Sequence, residues 1–232
     1  MSTRSKSIKI NNFKVMIKYN DNFNFLILEE KVITSLNKVK NFLGDIEVNL
    51  TDFKIDLVYS RKQYDKKVKR KTKRWEIANT SNNSFIIFHP DFIESETDHK
   101  KEEFDCILTH EIAHVITNSI NSIFLNWISE GIAQYIADQK PSTKYVKQSN
   151  VNHFIKNNFY KNSNYQDFIS HEGYEVSYWL IKYILEKYGK KNISSLINTK
   201  NNSNSKNQLE EIFSKPIKDI EREVLKLALR IS

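Results

Sequence analysis

The stretch "THEIAHVI", Thr109 to Ile116, sets His110 and His114 four residues apart with Glu111 next to the first. On a helix this spacing projects both imidazoles from nearly the same side, one turn apart, as chelation of a single ion requires. Glu111 lies about 100° round the helix, close enough to reach a water on that ion without being a ligand. Three residues thus supply two metal ligands and a general base. The competing reading is a buried helix whose histidines are satisfied by hydrogen bonds. The chain has six histidines, so an H-E-x-x-H pattern would arise by chance on the order of once in a hundred such sequences. A third ligand separates the two readings.

Glu130 offers one, sixteen residues past His114, in "NWISEGIAQYIAD". Ile128, Ile132, Tyr135 and Ile136 form an apolar stripe at helical spacing, while Glu130 and Gln134 lie on a different face. Gly131 beside the carboxylate permits close helix approach. A solvent-facing glutamate is the plain alternative for Glu130.

"HEIAH" followed by "NWISEGIAQY" resembles the gluzincin metallopeptidases, the clan of thermolysin and the zinc aminopeptidases, and most closely its small single-module members. The resemblance spans roughly residues 28 to 195. It implies a zincin-like fold with one Zn2+ per chain held by His110, His114 and Glu130, and with Glu111 as general base and acid. Three protein ligands leave a fourth position open, which distinguishes a catalytic zinc site from a closed structural one. The expected reaction is peptide-bond hydrolysis, with a peptide or protein as substrate. The resemblance also points to Tyr174 as the group that steadies the oxyanion. His171 and Tyr178 compete for that role, and spacing does not choose among them. Gln134 stands where thermolysin-like enzymes often carry an aspartate, and Gln134 and Asp138 are candidates to orient a ligand histidine. By the same resemblance the segment 84–90 is an edge strand along the cleft, to which extended substrate would pair. No G-x-M-E-N run of the aminopeptidase kind is present, which leans the reading toward an endopeptidase.

These residues need elements to hold them. Residues 8–19 read as a strand, "ILEEKVITSLNKVKNFLG" as a helix ending on Gly44, 53–60 as a second strand, and "SFIIFHP" as a third after a polar turn at "NTSNN". A helix over about 98–118, capped by Thr97 or Asp98, carries the histidines. Helices follow over about 126–138, in "NHFIKNNFY", over 173–189, in "KNISSLI" and in "IKDIEREVLKLALR", with 198–208 as a loop. The predicted fold class is α+β. A small mixed sheet forms the N-terminal lobe, a mostly helical lobe follows, and the active-site helix lies between them. The whole chain is read as one peptidase domain, with lobes over 1–120 and 121–232.

At 232 residues, 39% hydrophobic and 12% aromatic, the chain can bury a core. Its one cysteine, Cys106, excludes an internal disulfide and a Cys-based zinc knuckle. No segment reads as a signal peptide or approaches about 18 uninterrupted apolar residues, so a soluble, cytoplasmic protein is expected, without a transmembrane segment. The formal net charge of +8 is concentrated in residues 61–74, "RKQYDKKVKRKTKR", where nine Lys or Arg meet one Asp. Such a run is usually a solvated loop or helix face. Its functional reading is a patch for nucleic acid or another polyanion, or for acidic substrate. An alternative function follows, a nucleic-acid-associated or non-catalytic zinc-binding interaction protein that uses 61–74. His89, His99 and His153 lack partners at ligand spacing and read as structural or exposed.

Overall fold

The computed structural model describes residues 3–10, 12–20, 25–48, 50–122, 125–141, 147–157, 159–161, 165–198 and 204–230. The chain divides into two compact units, Met1–Ser119 and Ile120–Ser232. The architecture is α+β, with a five-stranded mixed sheet near the N-terminus followed by helices.

In the first unit the sheet order is β1-β2-β3-β5-β4. β1 (Thr3–Ile10) and β2 (Phe13–Asn20) form an antiparallel hairpin where the sequence suggests one strand over 8–19. The side chains of β2 alternate, with Phe13, Val15 and Ile17 buried and Lys14 and Met16 outward. Helix α1 (Phe25–Leu43) leads across to β3 (Asp52–Val58), which runs parallel to β2. Leu28, Val32, Leu36, Val39 and Leu43 of α1 are buried, and the helix stops at Gly44, whose φ of +63° closes the last turn.

The basic segment is not a loose loop. Residues Arg61–Val68 form helix α2, started by Ser60, whose hydroxyl accepts from the Gln63 amide at 3.3 Å. Arg61 is turned inward. Its guanidinium donates to the carbonyls of Glu76 and Glu96, each at 2.7 Å, and lies over the Phe88 ring at 4.7 Å. Lys67 pairs with Asp56 at 2.8 Å, Arg74 with Asp98 at 3.1 Å, and Arg70 with Glu76.

Two expectations about the sheet are corrected. "NTSNN" is not only a turn: Ala78–Ser81 form strand β4, and Asn82 and Asn83 make a two-residue reversal into β5 (Ser84–Phe88). Asn82 takes the positive φ of 50° that such tight hairpin turns require, and asparagine tolerates it. In consequence β5 is not the edge strand. It lies between β3, to which it is parallel, and β4, to which it is antiparallel, so β4 occupies the edge. Phe85, Ile87 and Phe88, apolar enough for a strand buried on both faces, suit that interior place.

The helix of the opening motif, α4, runs Phe104–Ile120 and starts later than residue 98. Thr97 is occupied in closing the short helix α3 (Ile93–Glu96), its hydroxyl donating to the Ile93 carbonyl at 2.7 Å. Asp98 is held by Arg74, and the His99 Nδ1 donates to the Glu103 carboxylate at 2.7 Å. One 3-10 turn, Lys101–Glu103, then feeds α4. Ser35 of α1 and Thr109 of α4 share a buried hydrogen bond of 2.9 Å, which fixes α4 within the unit.

The second unit is helical: α5 (Asn126–Ile136), α6 (Gln148–Lys156), α7 (Tyr165–Ser170), α8 (Gly173–Tyr188), α9 (Lys190–Ile197), α10 (Ser205–Phe213) and α11 (Ile217–Arg230). Helix α7 falls in a stretch with no sequence-based expectation, and α10 begins inside the stretch read as loop. Part of that loop, 199–203, lies outside the described residues. α5 packs on α8 with backbone nearly touching. A Cβ placed on Gly131 would sit 2.5 Å from the Ser177 carbonyl oxygen and 2.6 Å from Ile181. Among the described residues no helix is long and apolar enough to cross a membrane.

Candidate metal centre

Helix α4 presents His110 and His114 as its sequence spacing dictates. Their Nε2 atoms are 2.9 Å apart and their rings meet edge to face at 74°. Two nitrogens each 2.0–2.1 Å from a tetrahedral zinc would be separated by about 3.3 Å. The pair is therefore within a few tenths of an ångström of the chelating arrangement, and imidazole nitrogens are ordinary zinc donors. Ile112, Ala113 and Val115 are buried on the same helix and anchor it, so the rings are aimed by core packing.

Glu111 is buried, at 8% exposure. The Thr80 hydroxyl of edge strand β4 donates to its Oε2. The first unit thus already joins a histidine pair, a carboxylate and the sheet edge. Tyr64 of α2 is fully buried, and its hydroxyl has no hydrogen-bond partner among the described residues. Burial, and next the negative charge of Glu111, push the Tyr64 pKa up, so it stays a neutral phenol.

In the second unit α5 carries Glu130, buried at 9% exposure. A carboxylate at that depth requires a compensating cation or proton. Gln134, one turn on, donates from Nε2 to the Tyr174 carbonyl at 3.0 Å and to the Glu130 carbonyl at 3.3 Å. It ties α5 to the start of α8. Asp138 is largely exposed and pairs with Lys140 at 3.1 Å. The Tyr174 hydroxyl bonds that of Tyr165, while Tyr178 is buried against Tyr135 with ring centroids 6.1 Å apart.

His171 sits in a different company. Its Nδ1 is 3.3 Å from an Asp167 carboxylate oxygen, and its ring stacks on that of His153 with centroids 3.3 Å apart. The expectation that His153 lacks partners at ligand spacing is therefore corrected: its partners come from α7 and from the turn before α8. His89 is buried between Tyr59 and Phe92, and burial lowers its pKa. His99 is engaged with Glu103 and the Trp75 carbonyl. Sequence reasoning missed Thr80, because the short polar run that carries it becomes a strand only by pairing with β5.

No family model matches the sequence, and no curated protein does. The fold, however, matches solved structures of M1 zinc metallopeptidases. One is a variant of a two-domain M1 zinc metallopeptidase bound to L-arginine, at a TM-score of 0.55 and 9% identity, covering 97% of this chain and 50% of that one. Another is the M1 zinc metallopeptidase from Deinococcus radiodurans, at a TM-score of 0.54 and 10% identity, covering 98% of this chain and 51% of that one. The fold is zincin-like. The chain spans about half the length of these neighbours.

Proposed function

We propose that this protein is a zinc-dependent metallopeptidase that hydrolyses peptide bonds, with His110, His114 and Glu130 as the ligands of one ion. The observation that carries the reading is the histidine pair on α4, with Nε2 atoms 2.9 Å apart and the buried Glu111 between them in sequence. Each of the three ligands offers one donor atom of a type zinc accepts. The zincin-like fold supports the same reading.

When bound, zinc would supply a Lewis acid and lower the pKa of water to about 7. The protein's own residues do the rest. Glu111 takes a proton from the attacking water at its carboxylate and delivers it to the leaving amine nitrogen. The Thr80 hydroxyl holds that carboxylate in one orientation and belongs to the strand at the sheet edge, where an extended peptide can pair by main-chain hydrogen bonds. For the oxyanion we propose Tyr174, at the start of α8. His171 is the competing candidate. The cleavage mode carried forward is endopeptidase.

The test compares wild type with Glu111→Gln on two peptide libraries, one blocked at both ends and one with free ends. Wild type should cleave internal bonds, and the variant should keep its zinc and lose turnover. Full activity in Glu111→Gln would overturn the mechanism. Trimming confined to free N-termini would overturn the endopeptidase mode alone.

A further inference from the structure

Away from the α4 histidines, the second unit holds another set of metal-ligating side chains. His153 on α6, Asp167 on α7 and His171 in the turn before α8 each offer one ligand atom, and these atoms all lie within 4.8 Å of one another. We propose that they form a second divalent-metal site, of the zinc-binding type, that fastens α6 to the α7–α8 corner.

The donor atoms are crowded into one corner of the unit. The His153 Nε2 lies 3.0 and 3.2 Å from the two carboxylate oxygens of Asp167, and the His171 Nδ1 lies 3.3 Å from the nearer one. The two rings are stacked, 9° from parallel with centroids 3.3 Å apart. The His171 Nδ1 also lies 2.9 Å from the Asp167 carbonyl oxygen and 3.1 Å from the Ser170 hydroxyl, so an ion takes both imidazoles only as the rings turn out of their stack. The Asn157 amide nitrogen is 2.6 Å from the His153 Nε2. The same nitrogen donates to the Asp167 Oδ2 at 3.2 Å, and with an ion in place a flip of the amide would turn its oxygen toward the group as a fourth donor.

Two imidazoles, a carboxylate and an amide oxygen select borderline transition-metal ions over calcium or magnesium, which prefer all-oxygen shells. The group lines a cavity of about 30 Å³ with Trp127, Phe154 and Phe168 around it, enough for a water or an ion. The three ligand side chains are 29%, 35% and 37% exposed, which gives an ion a path in from solvent. Within the second unit the site joins α6 to α7 across fourteen residues and α7 to the next turn across four. An ion there acts as a clip rather than a reagent, and it commits His171 to the clip.

This inference does not rest on the peptidase reading, and the experiment keeps the two apart. Full-length His110→Ala/His114→Ala protein, stripped with chelator, is titrated with Zn2+ while bound metal and thermal midpoint are followed. We expect about one zinc per chain and a raised midpoint. Adding His153→Ala and Asp167→Asn should abolish both, and a His110→Gln/His114→Gln background gives the same comparison if the double alanine variant fails to fold. No zinc bound in either background, or zinc that persists after His153 and Asp167 are replaced, overturns the second site. Failure of the peptidase reading would show instead as an inactive wild type that still binds the His153-dependent ion.

Discussion

His110 and His114 meet because one helix carries both of them, whereas His153, Asp167 and His171 meet because three segments fold back on one another. The first arrangement is set by local geometry: any α-helix over 104–120 puts the two Nε2 atoms on one side. The second exists only once α6, α7 and the start of α8 have packed. One cluster is therefore as robust as a helix, and the other as robust as the tertiary structure of its unit. Beside the first lies the Glu111 carboxylate, hydrogen-bonded to the Thr80 hydroxyl of edge strand β4, while the second draws its donors from α6, α7 and the turn before α8.

The largest expected effect falls on the local cluster. Glu111→Gln should lower kcat/KM by about 10²–10⁴-fold, the range general acid–base groups contribute, and leave metal content unchanged. Activity measured beside metal analysis checks it, and a matching loss of metal would recast Glu111 as a ligand. Next, Glu130→Ala should weaken zinc binding by more than the 10–100-fold typical of groups one layer outside the ligands. A chelator competition assay reads this, and an unchanged affinity would remove Glu130 from the site.

These two residues also show how much could be read from the chain alone. The helical period of α4 and the run "SFIIF" of β5 are written in adjacent residues, so both elements and the histidine pair were legible. Strand β4 was not, because "ANTS" has neither apolar alternation nor length, and only its pairing with β5 makes it a strand. The place of β5 inside the sheet was lost with it. Helix α2 hid in a charge run whose apolar face is a single residue, Tyr64. His153 was unreadable as a ligand because its partners are fourteen and eighteen residues away, distances at which no periodicity carries information.

A third prediction contrasts the two units directly. Gly131→Ala would drive a methyl into the Ser177 carbonyl and Ile181. Overpacking of this kind costs about 1–3 kcal/mol. Amide hydrogen exchange should show the lost protection in α5 and α8 and leave β3 and β5 as they were. Equal loss in both units would mean that they open together.

The smallest effect concerns acid. Burial opposes charge on Glu223, but hydrogen bonds from Lys187, Lys215 and Tyr188 outweigh it and hold the pKa down to about 2. A carboxylate whose pKa is depressed on folding stabilises the fold above its unfolded value and loses that stabilisation as pH falls toward its folded value. Stability should therefore decline between about pH 4.5 and pH 2, and Glu223→Gln should flatten that part of the curve, as urea unfolding across the range would show. A parallel decline in the variant would assign the acid sensitivity to other carboxylates.

The inward turn of Arg61 and the pairing of Lys67, Arg70 and Arg74 change what the basic segment offers to a polyanion. Carboxylates of Asp56, Glu76, Glu96 and Asp98 already close on it. A nucleic acid strand arriving there would meet exposed Lys62, Lys66, Lys69, Lys71 and Lys73 rather than all nine cations. Its affinity would fall less steeply with added salt than nine available charges would give.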